Sequence, residues 1–220
     1  MAIILNIDTA VETASVCLAK EAHSLQFAMN GNQKDHASWL HAAIQKLISD
    51  AGLKIGDIDA VAVSIGPGSY TGLRVGLSAA KGLCFVTGIP LISIQTLEMM
   101  AYANKDQKGD LFCPLIDARR MEVFMAVYDR DLKTVIAPKA MIINSNSFDN
   151  LLADHSIVFS GNGSLKLRSL VQHSNAIFSS TMATAADMTW LSQNCYNQQE
   201  FADLAYIEPL YIKDFYSPVR

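Results

Sequence analysis

The chain is poor in charge, in cysteine pairs and in long apolar runs, and each lack excludes something. Only 17 % of its 220 residues are charged, net charge is −4, and no stretch gathers Lys and Arg into a basic stripe. A protein that grips RNA unaided normally shows such a stripe, so nucleic acid is expected only through a partner. The four cysteines, Cys17, Cys84, Cys113 and Cys195, lie far apart with no CxxC pair. That excludes a disulfide framework or a zinc knuckle and fits reduced thiols in the cytoplasm. The opening MAIILNIDTA lacks the basic start and cleavage site of a secretory signal. No apolar run reaches the ~20 residues of a membrane span. His36 and His41 are five apart, so they do not share a helix face as HExxH ligands would. No GxSxG elbow surrounds Ser69, which leaves hydrolase chemistry weakly supported.

What is present is an apolar half of the sequence, enough for one large core or two small lobes. Ala2–Asp8, Thr13–Ala19 and His23–Met29 read as three short strands of an antiparallel meander. Ala37, Leu40, Ile44, Leu47 and Ile48 recur at helical spacing, and Gly52 closes that helix. Ile58–Ile65 reads as a strand, Leu73–Val86 as a helix, Leu91–Ile94 as a strand and Thr96–Ala103 as a short helix. The polar stretch Asn104–Asp110 is the expected joint between lobes. The second half echoes the first. IDTAVETASVCLA at 7–19 is answered by IDARRMEVFMAVY at 116–128, and SIGPGSYTGLR at 64–74 by FSGNGSLKLRSL at 159–170. A duplicated βββαβα unit follows, with lobes at 1–106 and 107–220. The segment after Ala202 either completes the second lobe or crosses back onto the first.

Gly66-Pro67-Gly68-Ser69-Tyr70-Thr71-Gly72 joins a strand to a helix N-terminus, the usual place for an anion cradle. It is neither a Walker A loop nor GxGxxG, and a tight turn needing glycine explains it equally well. Asp8 and Thr9, at the first strand end, either help hold a metal–phosphate group there or merely brace a turn. The following helix is apolar on every side, with Arg74 and Lys81 its only charges, so full coverage is expected. Gly76 and Gly82 each cost about 1 kcal/mol against alanine in a helix interior and point to close backbone approach. Gly72, Gly76, Ala79, Ala80 and Leu83 form a small-residue face for a second chain or lobe to cover. Trp39, with Ala43 and Lys46 on the helix before, either anchors the same interface or packs within the chain.

The loop–helix–strand segment GPGSYTGLRVGLSAAKGLCFVTGIPLISIQTLEMMA, the opening ILNIDTAVETASVCLA, LIDARRMEVFMAVY and the closing EPLYIK together resemble the TsaB family. The resemblance is strongest over 58–103 and weak over 130–200. It implies an α/β fold of the actin, Hsp70 and sugar-kinase type (ribonuclease H-like) in two duplicated lobes. It also implies a non-catalytic scaffold that binds TsaD, and TsaE through the assembly. Threonylcarbamoyl would be transferred to the adenosine beside the tRNA anticodon, with tRNA met only through the complex. TsaD-like relatives carry an HxxxH metal pair where this chain has Thr96 and Met100, a hydroxyl and a thioether that replace two imidazoles poorly. Any ATP or ADP with magnesium would sit at a shared or vestigial cradle of Asp8, Thr9, Gly66, Gly68 and Ser69. A homodimer through the same helices, a stand-alone ATPase or kinase, and a metalloprotease-like hydrolase are the alternatives.

Overall fold

Ile3, Ile4, Leu5 and Ile7 are too closely spaced for one helical stripe, and they form a strand with its apolar side chains largely buried. In the computed structural model, which describes residues 2–32 and 35–213, this strand is β1, Ile3–Asp8. It pairs antiparallel with β2, Ala14–Lys20, in the register Ile7↔Val16, and β2 pairs with β3, His23–Asn30. Helix α1, His36–Asp50, returns the chain to β4, Ala60–Ser64, parallel to β1. Helix α2, Tyr70–Thr87, then leads to β5, Leu91–Ile94, and α3, Thr96–Tyr102. The sheet order is β3-β2-β1-β4-β5.

The second half repeats this plan. Strands β6 Leu111–Asp117, β7 Glu122–Tyr128, β8 Thr134–Ile142, β9 Ile157–Ser160 and β10 Ala176–Phe178 are ordered β8-β7-β6-β9-β10. Two short helices, α4 Asp149–Asp154 and α5 Ser164–Arg168, take the places of α1 and α2. Each half has its own apolar core. Leu40, Ala43, Ile44, Leu47 and Ile48 of α1 pack on the first sheet, while Phe148, Leu152 and Phe159 lie in the core of the second. Burying each such side chain contributes about 1.5–3 kcal/mol.

The chain divides into two compact units. Residues up to Met99 and Ala183–Pro209 make the first, and Met100–Met182 belong to the second. The division therefore falls within α3 rather than in the polar stretch after it. The open question about the end of the chain is answered for 183–209. Helix α6, Thr189–Gln198, belongs to the first unit, the Ala202 N–H donates to Leu91 O, and Lys81 Nζ reaches Ala205 O and Ile207 O. Among the described residues, no helix is long and apolar enough to cross a membrane.

Candidate functional site

Helix α2 begins three residues before the expected Leu73. Ser69 is its N-cap, its hydroxyl accepting the Gly72 N–H at 3.2 Å, and Gly88 ends it in the left-handed conformation at φ 74°. The third loop glycine thus lies in the first helical turn, not in a loop.

The loop is closed upon its own chain. Ser69 N–H donates to Ala10 O at 2.6 Å, and Gly66 N–H donates to the Thr96 hydroxyl at 3.1 Å. Gly66 itself has φ 118°, a conformation that favours glycine. A Cβ at Gly68 would overlap Ala10 O, and one at Gly72 would overlap Thr9 O. Buried Thr9 donates its hydroxyl to Gly72 O at 2.6 Å. The glycines serve the close approach of the β1–β2 turn to the start of α2.

Asp8 is fully buried beneath this contact. Its Oδ1 accepts from Ala10 N–H at 3.0 Å and from the Ser64 hydroxyl at 2.5 Å, while Oδ2 has no hydrogen-bond partner among the described residues. Burial raises its pKa to about 6, against the lowering effect of those two bonds and with Asp187 adding to the rise. The five residues of the expected nucleotide cradle are thus brought together, but not as a cradle. The Gly66 and Ser69 amides are spent within the chain, the Cβ space of Gly68 is filled by Ala10 O, and Asp8 is sealed from solvent. A nucleotide with magnesium does not fit them as arranged.

The interface expected on α2 needs a similar correction. The helix is covered on one face only. Leu73, Leu77 and Cys84 bury against the sheet, whereas Phe85 and Val86 are 81 % and 83 % exposed. Gly72, Gly76 and Ala80 belong to the covered side. A methyl at Gly76 would overlap the Thr9 hydroxyl, so this close approach is made inside the chain and is not a place for a partner. On α1, Ala43 is buried in the core and Trp39 is partly buried against it, while Lys46 is exposed and pairs with Asp50 at 2.8 Å. Ala43 therefore belongs to the core stripe of α1 and not to an interface.

The uncovered side is a groove between α1 and α2. Ala37 and His41 form one wall; Thr71, Val75, Ser78, Ala79, Gly82, Leu83 and Val86 form the other, enclosing about 790 Å³. Tyr70 and Arg74 stand at its end, the guanidinium 4.0 Å above the ring centre. A second hollow of about 520 Å³, lined by Ile44, Ile48, Leu53 and Ile55, shares His41 and Leu83 with the first. The groove therefore runs along the helix pair. Ala79 and Leu83 of the expected face do line it; Ser78 and Val86 were missed. Gly82, singled out from the sequence for close backbone approach but not placed on that face, also lines the groove and has nothing within 4 Å of its Cβ position among the described residues.

Thr96 and Met100, the positions of the expected metal pair in relatives, are both committed to packing. The Thr96 hydroxyl accepts the Gly66 N–H, and the Met100 terminal methyl lies against Gly161.

A family model described as TsaD, tRNA N6-adenosine threonylcarbamoyltransferase, matches residues 30–215. The tRNA threonylcarbamoyladenosine biosynthesis protein TsaB of Bacillus subtilis is 34 % identical over 125 residues, 57 % of this chain and 54 % of that protein. The chain spans about half the length of the curated relatives it matches. A Pseudomonas aeruginosa protein described as similar to the peptidase YeaZ has a crystal structure that superposes with a TM-score of 0.86. It is 24 % identical and covers 97 % of this chain and 100 % of that one. The inorganic polyphosphate/ATP-glucomannokinase of an Arthrobacter strain superposes at 0.53 with 10 % identity, covering 90 % and 100 %. The fold is the two-lobed actin and sugar-kinase type.

Proposed function

From the premise that this chain belongs to the TsaD family, on its TsaB branch, we propose that it is a non-catalytic scaffold subunit in tRNA threonylcarbamoyladenosine biosynthesis. In this reading it works in the cytoplasm and binds a TsaD-type catalytic partner through the α1–α2 groove. The observation that carries the proposal is the uncovered side of α2. Val86 stands in solvent on a groove wall that also holds Gly82, a helical glycine whose Cβ position meets nothing within 4 Å among the described residues, and Phe85 beside it in sequence is as exposed. Exposed large apolar side chains gathered beside a concave surface mark protein contact. A glycine that costs about 1 kcal/mol in a helix interior is explained when another backbone lies against it.

The chemistry of the remaining residues supports a supporting role rather than catalysis. Thr96 and Met100 offer no imidazole, and the glycine loop's polar groups are consumed by the β1–β2 turn. The same groove serves a homodimer when the catalytic partner is absent.

Gly82→Arg tests the assignment. The side chain enters open space, so the monomer stays folded, yet the groove is filled by a bulky cation. Co-purification and calorimetry with the TsaD-type protein of the same organism should show binding lost or weakened at least 100-fold. Wild-type affinity in a folded variant would remove the groove from the reading.

A further inference from the structure

The net negative charge of the sequence hides a segregation. Among the described residues, the segments of the first unit hold five Lys and Arg against twelve Asp and Glu; those of the second, Met100–Met182 with 210–213, hold ten against eight. A polyanion meeting this protein is repelled by one unit and tolerated by the other. Within the second unit, four of the ten cations, Arg119, Arg120, Lys166 and Lys213, lie on or beside the turn between β6 and β7, the IDARRMEVF motif that the groove leaves unused.

There Asp117 and Glu122 flank two consecutive arginines. Lys166 Nζ bonds Asp117 Oδ1 at 2.5 Å, and Lys213 is paired with the Glu122 carboxylate. Partial burial raises the Asp117 carboxyl, but the Lys166 bond, the Arg119 amide and the nearby charges of Lys166 and Arg119 outweigh it and hold it below the usual range. Each carboxylate at the base of the turn is thereby matched by a lysine. Arg119 and Arg120 are exposed at the tip, and among the described residues neither guanidinium has a carboxylate within ion-pair distance. Their side chains are not there for the backbone. Both residues have positive φ, 71° and 51°, where Asn or Gly is the easier choice, and the Glu21–Ala22 turn adopts the same region without a cation.

We propose that the β6–β7 turn is an RNA-backbone contact, with the Arg119 and Arg120 guanidinium groups each binding a phosphate. Planar guanidinium groups bind phosphate oxygens in a bidentate manner, and phosphate contacts position an RNA without reading its sequence. The choice of RNA among polyanions rests on the tRNA-modification reading above. The contact adds to that reading a direct tRNA touch by this subunit.

The test is a salt series of tRNA binding by fluorescence anisotropy, using an unmodified tRNA transcript with the full chain alone and with its TsaD-type partner. The double variant Arg119→Gly/Arg120→Gly removes both cations while giving the turn its preferred residue type, so unfolding does not confuse the result. It should weaken binding about tenfold or more at low salt and lower the log–log salt slope by about 1.4–1.8, two phosphates' worth. Arg119→Lys/Arg120→Lys should keep the slope and lose part of the affinity. Wild-type affinity and slope in the glycine variant, or no tRNA binding by wild type alone or in the complex, would overturn the contact. Loss of partner binding with the arginine effect intact would sink the scaffold reading but leave this contact standing. Intact pairing with a silent arginine variant does the reverse.

Discussion

Two glycines six residues apart in α2 should answer alanine with opposite signs. At Gly82 a methyl meets nothing within 4 Å, so Gly82→Ala gains the helix propensity of alanine, about 1 kcal/mol. In a chain of this size that raises the melting temperature by about 2–4 °C. At Gly76 the same propensity gain is opposed by overlap with the Thr9 hydroxyl. Thr9 is buried and β-branched, and its hydroxyl satisfies Gly72 O at 2.6 Å. Displacing it costs about 1–3 kcal/mol for overpacking and a similar amount for the buried hydroxyl parted from its acceptor. The net expectation for Gly76→Ala is a loss of about 1–5 kcal/mol. Thermal and urea unfolding followed by circular dichroism measures both, and calorimetry with the partner supplies the complement. Gly82→Ala should keep the monomer sound while perturbing partner binding; Gly76→Ala should hurt the monomer itself. If both variants shift stability in the same direction, the division of α2 into an inner and an outer face is wrong.

Thr9→Val keeps the shape of the side chain but removes the hydroxyl's bond to Gly72 O, and should cost about 0.5–1.5 kcal/mol in urea unfolding. Lys81→Met removes the ammonium that reaches Ala205 O and Ile207 O. Global stability should move by less than about 1 kcal/mol, while hydrogen exchange at the amides of Ala202 and Ile207 quickens. Asp8 gives a pH signature. Its pKa is about 6 in the folded chain against 3.8 unfolded, so the native state holds the proton more tightly. The stability from this difference, about 3 kcal/mol, is fully present below pH 3.8 and is lost as pH rises through about 6. Relative to Asp8→Asn, the wild type should therefore lose stability between pH 4 and 7. Parallel pH profiles for the two proteins would show that Asp8 is not buried as described.

The alternation of strand and helix was legible because it rests on local periodicity. Closely spaced apolar residues at 3–7 and the i, i+4 recurrence through Leu40, Ile44 and Ile48 are each sufficient without tertiary knowledge. The duplication was legible for the same reason, since Asp8 and Asp117 end equivalent strands. Which face of α2 meets a partner was not. Gly76 and Gly82 carry the same propensity cost, and only the distant Thr9, at 67 places' remove for one and nowhere near the other, distinguishes them. The sequence shows that a close approach exists; it does not show to what. The glycine loop left its two readings open for the same reason, because a loop that receives phosphate and one that receives Ala10 O need the same small residues.

The charge of the chain shows the converse failure, in which a global sum conceals a local fact. A net charge of −4 argues against polyanions only if charge is evenly spread. Once the fold sorts residues into units, the excess acid belongs to the first, and Lys166 and Lys213 neutralise the carboxylates beside Arg119 and Arg120. At physiological ionic strength the Debye length is about 8 Å, so a phosphate at the turn responds to the charges beside it more than to the sum over the chain. Two adjacent guanidinium groups can thus bind phosphate on a protein whose total charge forbids it. A scaffold with one apolar groove and one cationic turn needs no catalytic group of its own to hold a partner and an RNA at once.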